Sequence, residues 1–413
     1  MKLPNLSPIP PYAHKNMPRT TATWLDRWDS SLMSSYATPK VVLESGRGAL
    51  VFDVEGKQYI DLLAGIAVNV LGHAHPAVVA AITKQANLLG HVSNLAATPV
   101  GIELAECLLG HLNSDGRVFF CNSGAEANEA AFKLARLTGK EAVVSMSGSF
   151  HGRTMGALSL TGQPAKREPF EPLVPGVRFA EFGDANSVSS HMTSEVGAVF
   201  VEPIQGEAGV VVPPRDFLAS VQRATRASGA LLVVDEVQSG MGRTGSWFAY
   251  QNPSVAEGEI APDVVTLAKG LGGGIPIGAC VVLSDTAPRF SAGQHGSTFG
   301  ANPIACAAAL AVFDTVDRED LLPRAAALGQ TIKARLNEIA PKVKEVRGVG
   351  LLQGVVLKDD SAKEVETRCL ADGVLLNAAT PNVVRLAPPL VISDGELSAA
   401  LDVLVTAIDR SVK

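Results

Sequence analysis

The sequence predicts an α/β protein with a large domain on a mainly parallel seven-stranded sheet and a smaller α+β domain. Two observations predict this. Short apolar runs, most of them valine-rich, recur at Arg117–Cys121, Ala142–Met146, Val177–Phe182, Ala198–Glu202, Ala230–Val234, Val264–Leu267 and Gly278–Leu283, mostly with helical stretches between them. Repeated βα units of this kind give strands buried on both faces. From about Asp320 the pattern changes: a long helix from Leu321 to Ile339, strand signals at Gly350–Leu357, Val374–Leu376 and Val384–Leu386, and a last helix, Asp394–Arg410. With 413 residues, 46% hydrophobic and 18% charged, the chain can bury a large core and divide in two.

Taken in order, residues 1–20 carry prolines and polar groups without an apolar core and read as a flexible tail, not a secretory signal. Residues 21–75 form the N-terminal segment of the small lobe. An amphipathic helix is expected from Trp24 to about Tyr36, then strands at Lys40–Leu43 and Ala49–Asp53, punctuated by Gly46 and Gly48. Glu55-Gly56 reads as a tight hairpin leading to Gln58–Asp61. Pro76 suits a first helical turn and opens a helix over 77–89, and with it the large domain, 76–319. Residues 320–413 make the C-terminal small domain. No internal repeat is present.

Composition excludes several functions. The formal net charge of −6 and the lack of a Lys/Arg-rich run argue against nucleic acid or an anionic membrane as partner. No run reaches transmembrane length. Five scattered cysteines, odd in number and without Cys-x-x-Cys, suggest neither disulfides nor a zinc knuckle, so a reducing cytoplasm fits. His73 and His75 lack a third ligand at metal spacing and read as a turn; no metal is expected.

The chemistry gathers at two strand ends. Gly229-Ala-Leu-Leu-Val-Val-Asp-Glu-Val-Gln238 delivers Asp235 at the carboxyl end of a buried strand, and Asp263-Val-Val-Thr-Leu267 stops two residues before Lys269. Open α/β sheets bind ligands at such ends. An aspartate and a lysine together suggest pyridoxal phosphate: the lysine amine can condense with its aldehyde and later move a proton. The aspartate would favour the protonated ring nitrogen by about 1.4–4 kcal/mol, which makes the ring a better electron sink. Taken singly, either residue is equally a paired or solvated charge.

Other motifs offer the rest of a site. In Arg117-Val-Phe-Phe-Cys-Asn-Ser-Gly-Ala-Glu126 a strand turns into a helix, and the amides of Ser123, Gly124 and Ala125 point at an anion such as a phosphate. The same pattern describes an ordinary turn with Ser123 as N-cap. Phe150 could stack on a flat ring and Arg153 could take a carboxylate bidentately; each is also a common core or surface residue. Glu202-Pro-Ile-Gln-Gly-Glu207 ends a strand in carboxylates that could serve as caps. Gly270-Leu-Gly-Gly-Gly274 and Gly348-Val-Gly-Leu-Leu-Gln-Gly354 imitate dinucleotide motifs but lack the strand-glycine-helix context, which leaves a nicotinamide oxidoreductase as the weaker enzymatic alternative. A non-catalytic scaffold that keeps the fold is the alternative outside enzymes.

Together, Asn122-Ser-Gly-Ala-Glu-Ala-Asn128, Phe150-His-Gly-Arg153, Glu202-Pro-Ile-Gln-Gly-Glu207, Asp235-Glu-Val-Gln238, Leu267-Ala-Lys-Gly270 and Gly296-Ser-Thr-Phe-Gly300 resemble the class III (ornithine-type) aminotransferases. Gly65-Ile-Ala-Val-Asn69, Gly72-His-Ala-His-Pro76 and Val92-Ser-Asn-Leu95 are most similar to its acetylornithine-type members. The resemblance implies the fold type I of pyridoxal-phosphate transferases and a homodimer with shared active sites. It implies the phosphate on Gly124 and Ala125, the ring between Phe150 and Val237, Asp235 on the ring nitrogen and Gln238 near the ring hydroxyl. Thr298 would reach the partner's phosphate and Ser297 the substrate, with Tyr36 and Ile66 at distal contacts. Arg153 would hold a substrate carboxylate, while Arg385 pairs with Glu207 and leaves it when 2-oxoglutarate enters. The implied reaction moves the amine of N2-acetyl-L-ornithine to 2-oxoglutarate; ornithine, 4-aminobutyrate and succinyl-diaminopimelate are the other donors the class suggests.

Overall fold

In the computed structural model, which describes residues 20–339 and 341–413, the chain enters through a helix, Thr21–Ser31. Thr20 caps it, its hydroxyl accepting from the Thr23 amide. The tail expected over residues 1–20 lies, but for Thr20, outside the described residues. The helix stops short of Tyr36, because Ser34 and Ser35 lie in a turn where Ser35 Oγ bonds the Met33 carbonyl instead of continuing the helical ladder.

Three strands follow: β1 (Leu43–Arg47), β2 (Leu50–Asp53) and β3 (Gln58–Asp61), joined as antiparallel neighbours. The strand expected at Lys40–Leu43 is displaced. Pairing across the turn at Gly48 sets the ladder from Arg47↔Leu50, with a bulge between Leu43 and Ser45, and this register overrides the local preference of Val41 and Val42.

The large sheet contains β4 (Arg117–Cys121), β5 (Ala142–Met146), β6 (Val177–Ala180), β7 (Val196–Val201), β8 (Leu231–Asp235), β9 (Val264–Leu267) and β10 (Gly278–Val282). Their order is β4-β10-β9-β8-β7-β5-β6; only β10 runs against its neighbours. Every residue of β5, β7, β8, β9 and β10 is buried, as the uninterrupted apolar runs require. Alternate residues feed two cores. Phe200 and Val233 pack with Ala130 and Leu134 of the helix Gly124–Leu137, while Val199, Val201, Leu232 and Val234 join Phe217, Val221 and Leu104 on the opposite face.

Toward the C-terminus come β11 (Val343–Val349), β12 (Leu352–Leu357), β13 (Val374–Leu375), β14 (Asn377–Thr380) and β15 (Val383–Leu386). Four of them form a second sheet, β11-β12-β15-β14, whereas β13 adds parallel to β3 in the N-terminal sheet. The helices Leu321–Asn337 and Asp394–Ser411 agree with expectation to within two residues. A helix at Pro303–Arg318, strands β11 and β14, and the helix Ala362–Ala371 were not anticipated.

Candidate active site

The floor of the site is Asp235, the last residue of β8, which is 3% exposed. Three donors fix its carboxylate. Oδ2 accepts from Asn128 Nδ2 at 2.7 Å and from His151 Nδ1 at 2.7 Å, and Oδ1 accepts from the Val237 amide at 2.9 Å. Asn128 lies four residues after Gly124 in the helix Gly124–Leu137 and is itself fixed, donating to the His151 carbonyl and accepting from Thr266 Oγ1. His151 Nε2 is buried without a hydrogen-bond partner. Such a carboxylate can present charge to a ligand without reorganising.

Lys269 follows β9 with φ 45°, a left-handed conformation that costs a lysine about 1–2 kcal/mol. The turn aims its amine into a cavity of about 400 Å³ that Asp235 also lines. Burial lowers the lysine's pKa; Glu207 pulls it up and Arg385 down again, so a neutral amine is favoured relative to one in water. The glycine cluster after it, expected to open no helix, closes a short 3₁₀ turn over Lys269–Gly272.

One wall is the N-terminus of the helix Gly124–Leu137. Ser123 is its N-cap, with Oγ accepting from the Glu126 amide at 3.2 Å, and this cap leaves the first-turn amides open to an anion. The Gly124 and Ala125 amides belong to the first turn, where no helical carbonyl is available to them. A Cβ on Gly124 would come within 2.7 Å of Val237 Cγ1, so this backbone and Val237 are packed as closely as a glycine allows.

The mouth carries the charges. Arg385 on β15, 1% exposed, donates to Glu207 Oε1 at 2.5 Å and to Gln238 Oε1 at 3.1 Å, while Gln238 Nε2 donates to Glu207 Oε1 at 3.1 Å. Gly206 makes the triad possible: a Cβ there would overlap the Gln238 amide. Burial alone would raise the Glu207 pKa, but Arg385 and Lys269 outweigh it and hold the carboxyl down to about 2. Glu202, buried beside Asp235, is pushed the other way by desolvation and by that neighbour, with the Phe150 amide at 3.1 Å as a partial counterweight. Phe150 lines the cavity under two cations, Arg153 at 5.5 Å and Lys166 at 4.8 Å from the ring centre. Among the described residues neither cation has a carboxylate partner within ion-pair distance.

The cavity therefore brings together Ser123, Gly124, Ala125, Phe150, Arg153, Glu207, Asp235, Val237, Gln238 and Lys269, with Arg385 behind Glu207. It does not include Ser297 and Thr298. These line a separate cavity of about 490 Å³ that shares Asn122 with the first; Asn122 Nδ2 donates to Ser297 Oγ at 3.1 Å. Tyr36 is 78% exposed and outside both. The sequence motifs assign no role to Asn128, His151 or Lys166, although the spacing of Asn128 from Gly124 puts it on the same helical face. Glu236, without a role in the sequence, is buried and holds Ser239 Oγ and the Tyr250 amide. His73, expected in a turn, instead pairs with Gly48 in an isolated antiparallel bridge because their amides and carbonyls bond both ways, and its Nε2 lies 2.8 Å from Asp61 Oδ2.

The family model for class-III aminotransferases matches residues 33–408. The chain belongs to the class-III aminotransferases. It is 53% identical over 392 residues to an acetylornithine aminotransferase of Mycolicibacterium smegmatis, covering 95% of this chain and 99% of that one. Among solved structures it is similar to the ornithine aminotransferase of Toxoplasma gondii, which has PLP at partial occupancy in its active site: TM-score 0.89, 32% identity, 95% of each chain covered. The N-acetylornithine aminotransferase of Stenotrophomonas maltophilia gives 0.78 at 36% identity, covering 91% of this chain and 98% of that one.

The cofactor of a class-III aminotransferase is pyridoxal phosphate, and the residues present fit it. An anchored carboxylate, a buried amine and a helix N-terminus narrowed by Gly124 and Val237 surround one cavity. These are the groups that a ring nitrogen, an aldehyde and a phosphate need.

Proposed function

We propose that this class-III aminotransferase transfers the δ-amine of N2-acetyl-L-ornithine to 2-oxoglutarate, giving N-acetyl-L-glutamate 5-semialdehyde and L-glutamate, the acetylornithine aminotransferase step of arginine biosynthesis. The observation that carries it is the division of labour between two arginines at one mouth: Arg385 is paired to Glu207, whereas Arg153 has no carboxylate partner among the described residues. With the pair closed, a donor finds one free guanidinium in the cavity that Lys269 also lines, and its carboxylate would sit on Arg153 with its distal amine at Lys269. The charge beside Arg153 favours an acylated donor. Arg153 and Lys166 both crowd Phe150, so the α-ammonium of plain ornithine would meet like charges, and acylation removes that charge.

In this reading the Gly124 and Ala125 amides hold the phosphate, Phe150 and Val237 the two ring faces, Asp235 the ring nitrogen and Gln238 the ring hydroxyl. When bound, the cofactor supplies an aldehyde that takes up the amine and a ring that accepts the electron pair left as a proton departs. Lys269 Nζ takes that proton from the amine-bearing carbon; in the second half-reaction it returns one to the α-carbon derived from 2-oxoglutarate. Its lowered pKa suits the task. Arg385 leaves Glu207 for the α-carboxylate of 2-oxoglutarate, and Arg153 takes the far one. The exchange gives Arg385 a new carboxylate for the one it leaves, which matters because an unpaired buried ion costs about 3–5 kcal/mol.

We read the chain as a cytoplasmic homodimer in which Thr298 completes the partner's phosphate site and Ser297 approaches its substrate, with 21–75 and 320–413 as one small lobe over 76–319. The exposed Leu88, Leu95, Ile102 and Phe299 support a face covered by a second copy, five free cysteines support a reducing compartment, and the pairing of β13 with β3 supports the joint lobe. The test is a half-reaction without oxo acid: N-acetylornithine is expected to bleach the holoenzyme's visible absorbance well ahead of ornithine, succinyl-diaminopimelate or 4-aminobutyrate. A faster response to any of those three overturns the donor assignment.

A further inference from the structure

The exchange at Arg385 leaves one charge unanswered. When the guanidinium departs, Glu207 keeps, among the described residues, only Gln238 Nε2 as a donor, in a site where its side chain is 25% exposed. A carboxylate in that position needs another cation, and Lys269 cannot serve, because its amine has to be neutral to act on the substrate. Lys166 can. It stands on the cavity-lining ring of Phe150, 4.8 Å from its centre, tethered by a neutral acceptor, Gln163 Oε1, at 2.5 Å. Gln163 is itself held by the Gly148 carbonyl, so the ammonium is parked on a fixed bracket. Among the described residues it has no carboxylate partner in the resting arrangement, and of the charges around it Glu207 acts on it most strongly.

We infer that Lys166 is the standby counter-charge of Glu207: it leaves Gln163 and pairs with Glu207 while Arg385 holds the oxo acid, and returns when Arg385 returns. Lys166 is thus a positioning residue for the dicarboxylate half of the cycle. The inference rests on the arginine exchange proposed above, not on the identity of the amine donor. A flexible ammonium suits a partner that must come and go, whereas the planar Arg385 suits a bidentate grip on carboxylate.

The test uses the holoenzyme and glutarate, an unreactive dicarboxylate, with binding read by calorimetry. Lys166→Met is expected to weaken glutarate binding about tenfold and to slow the glutamate half-reaction by a similar factor relative to the N-acetylornithine half-reaction, with Lys166→Arg recovering most of the loss. In a Glu207→Gln background the same Lys166→Met change is expected to shift glutarate affinity less than about twofold, because no carboxylate remains to be neutralised. Equal losses in both backgrounds would mean that Lys166 grips the ligand itself, and would overturn the counter-charge role. So would unaltered glutarate binding in Lys166→Met alone, or a parallel fall of both half-reactions. If the unmodified enzyme responds to glutamate but not to N-acetylornithine, the donor assignment fails and the glutarate measurements still decide the role of Lys166.

Discussion

Replacing Glu207 by glutamine tests the arginine exchange most directly, because it keeps the shape of the side chain and removes the charge that holds Arg385. A carboxyl held at about 2 instead of its ordinary 4.5 is stabilised as an anion by about 3 kcal/mol. Part of that comes from Lys269, and a quarter of the side chain meets solvent, so about 2 kcal/mol falls to the pair with Arg385. In Glu207→Gln the guanidinium keeps only neutral acceptors, the Gly206 carbonyl, Gln238 Oε1 and Asn377 Oδ1. It is then free for a ligand carboxylate without first breaking an ion pair. The glutamate half-reaction is expected to gain about 30-fold relative to the N-acetylornithine half-reaction, measured as the ratio of second-order rate constants for loss of visible absorbance. A ratio within twofold of the unmodified enzyme would refute the exchange, whatever happened to the absolute rates.

Other outcomes follow from the same geometry. Lys269→Ala is expected to abolish the visible absorbance of the holoenzyme and all transamination; a normal spectrum after reconstitution would remove Lys269 from its role. Gly124→Ala drives a methyl against Val237 and is expected to weaken cofactor binding about 10- to 100-fold, read by titration of the apoenzyme. Burial raises the Glu236 carboxyl to about 7, against the hydrogen bonds from Ser239 and Tyr250. The folded state then binds the proton more tightly than the unfolded one, so this group costs nothing below about pH 4.5, lowers stability progressively from there to pH 7, and adds no further loss above it. Glu236→Gln is expected to flatten that decline by about 3 kcal/mol in urea titrations at pH 4.5 and 7.5; parallel curves for the two proteins would contradict it.

The placing of Asp235 and Lys269 in one cavity was legible because a buried parallel strand writes an unbroken apolar run, and its carboxyl end opens on the crevice of the sheet. The turn at Ser123 was legible as an N-cap for a related reason: a strand, a serine and a glycine spell the start of a helix, whose open amides are also those the proposed phosphate would need. Less could be read where distant pairing sets the outcome. The shift of β1 to Leu43–Arg47 follows from its partner, not from its own valines. The bond between Glu207 and Arg385 joins residues no local pattern connects. Lys166 looks like any surface lysine until Phe150 and Gln163 are seen beneath it. The helix Pro303–Arg318 carries a readable signal, an Asn302 side chain that accepts from the Ala305 amide with proline in the first turn.

The segment just after Arg385 is tied to places far apart along the chain: the Ala387 amide bonds the Leu62 carbonyl, the Leu390 amide bonds the Val70 carbonyl, and Arg243 reaches the Pro388 carbonyl. Glu207 and Arg385 are separated by 178 positions. On a ribosome adding about 5–20 residues per second, the arginine emerges roughly 10–35 s after the glutamate it will hold. Asp235 and Lys269 are already made by then. Under the proposed exchange, the nascent chain would hold Asp235 and Lys269 before it holds the partner of Glu207, and the choice between substrates would wait for the last strand of the second sheet to be synthesised.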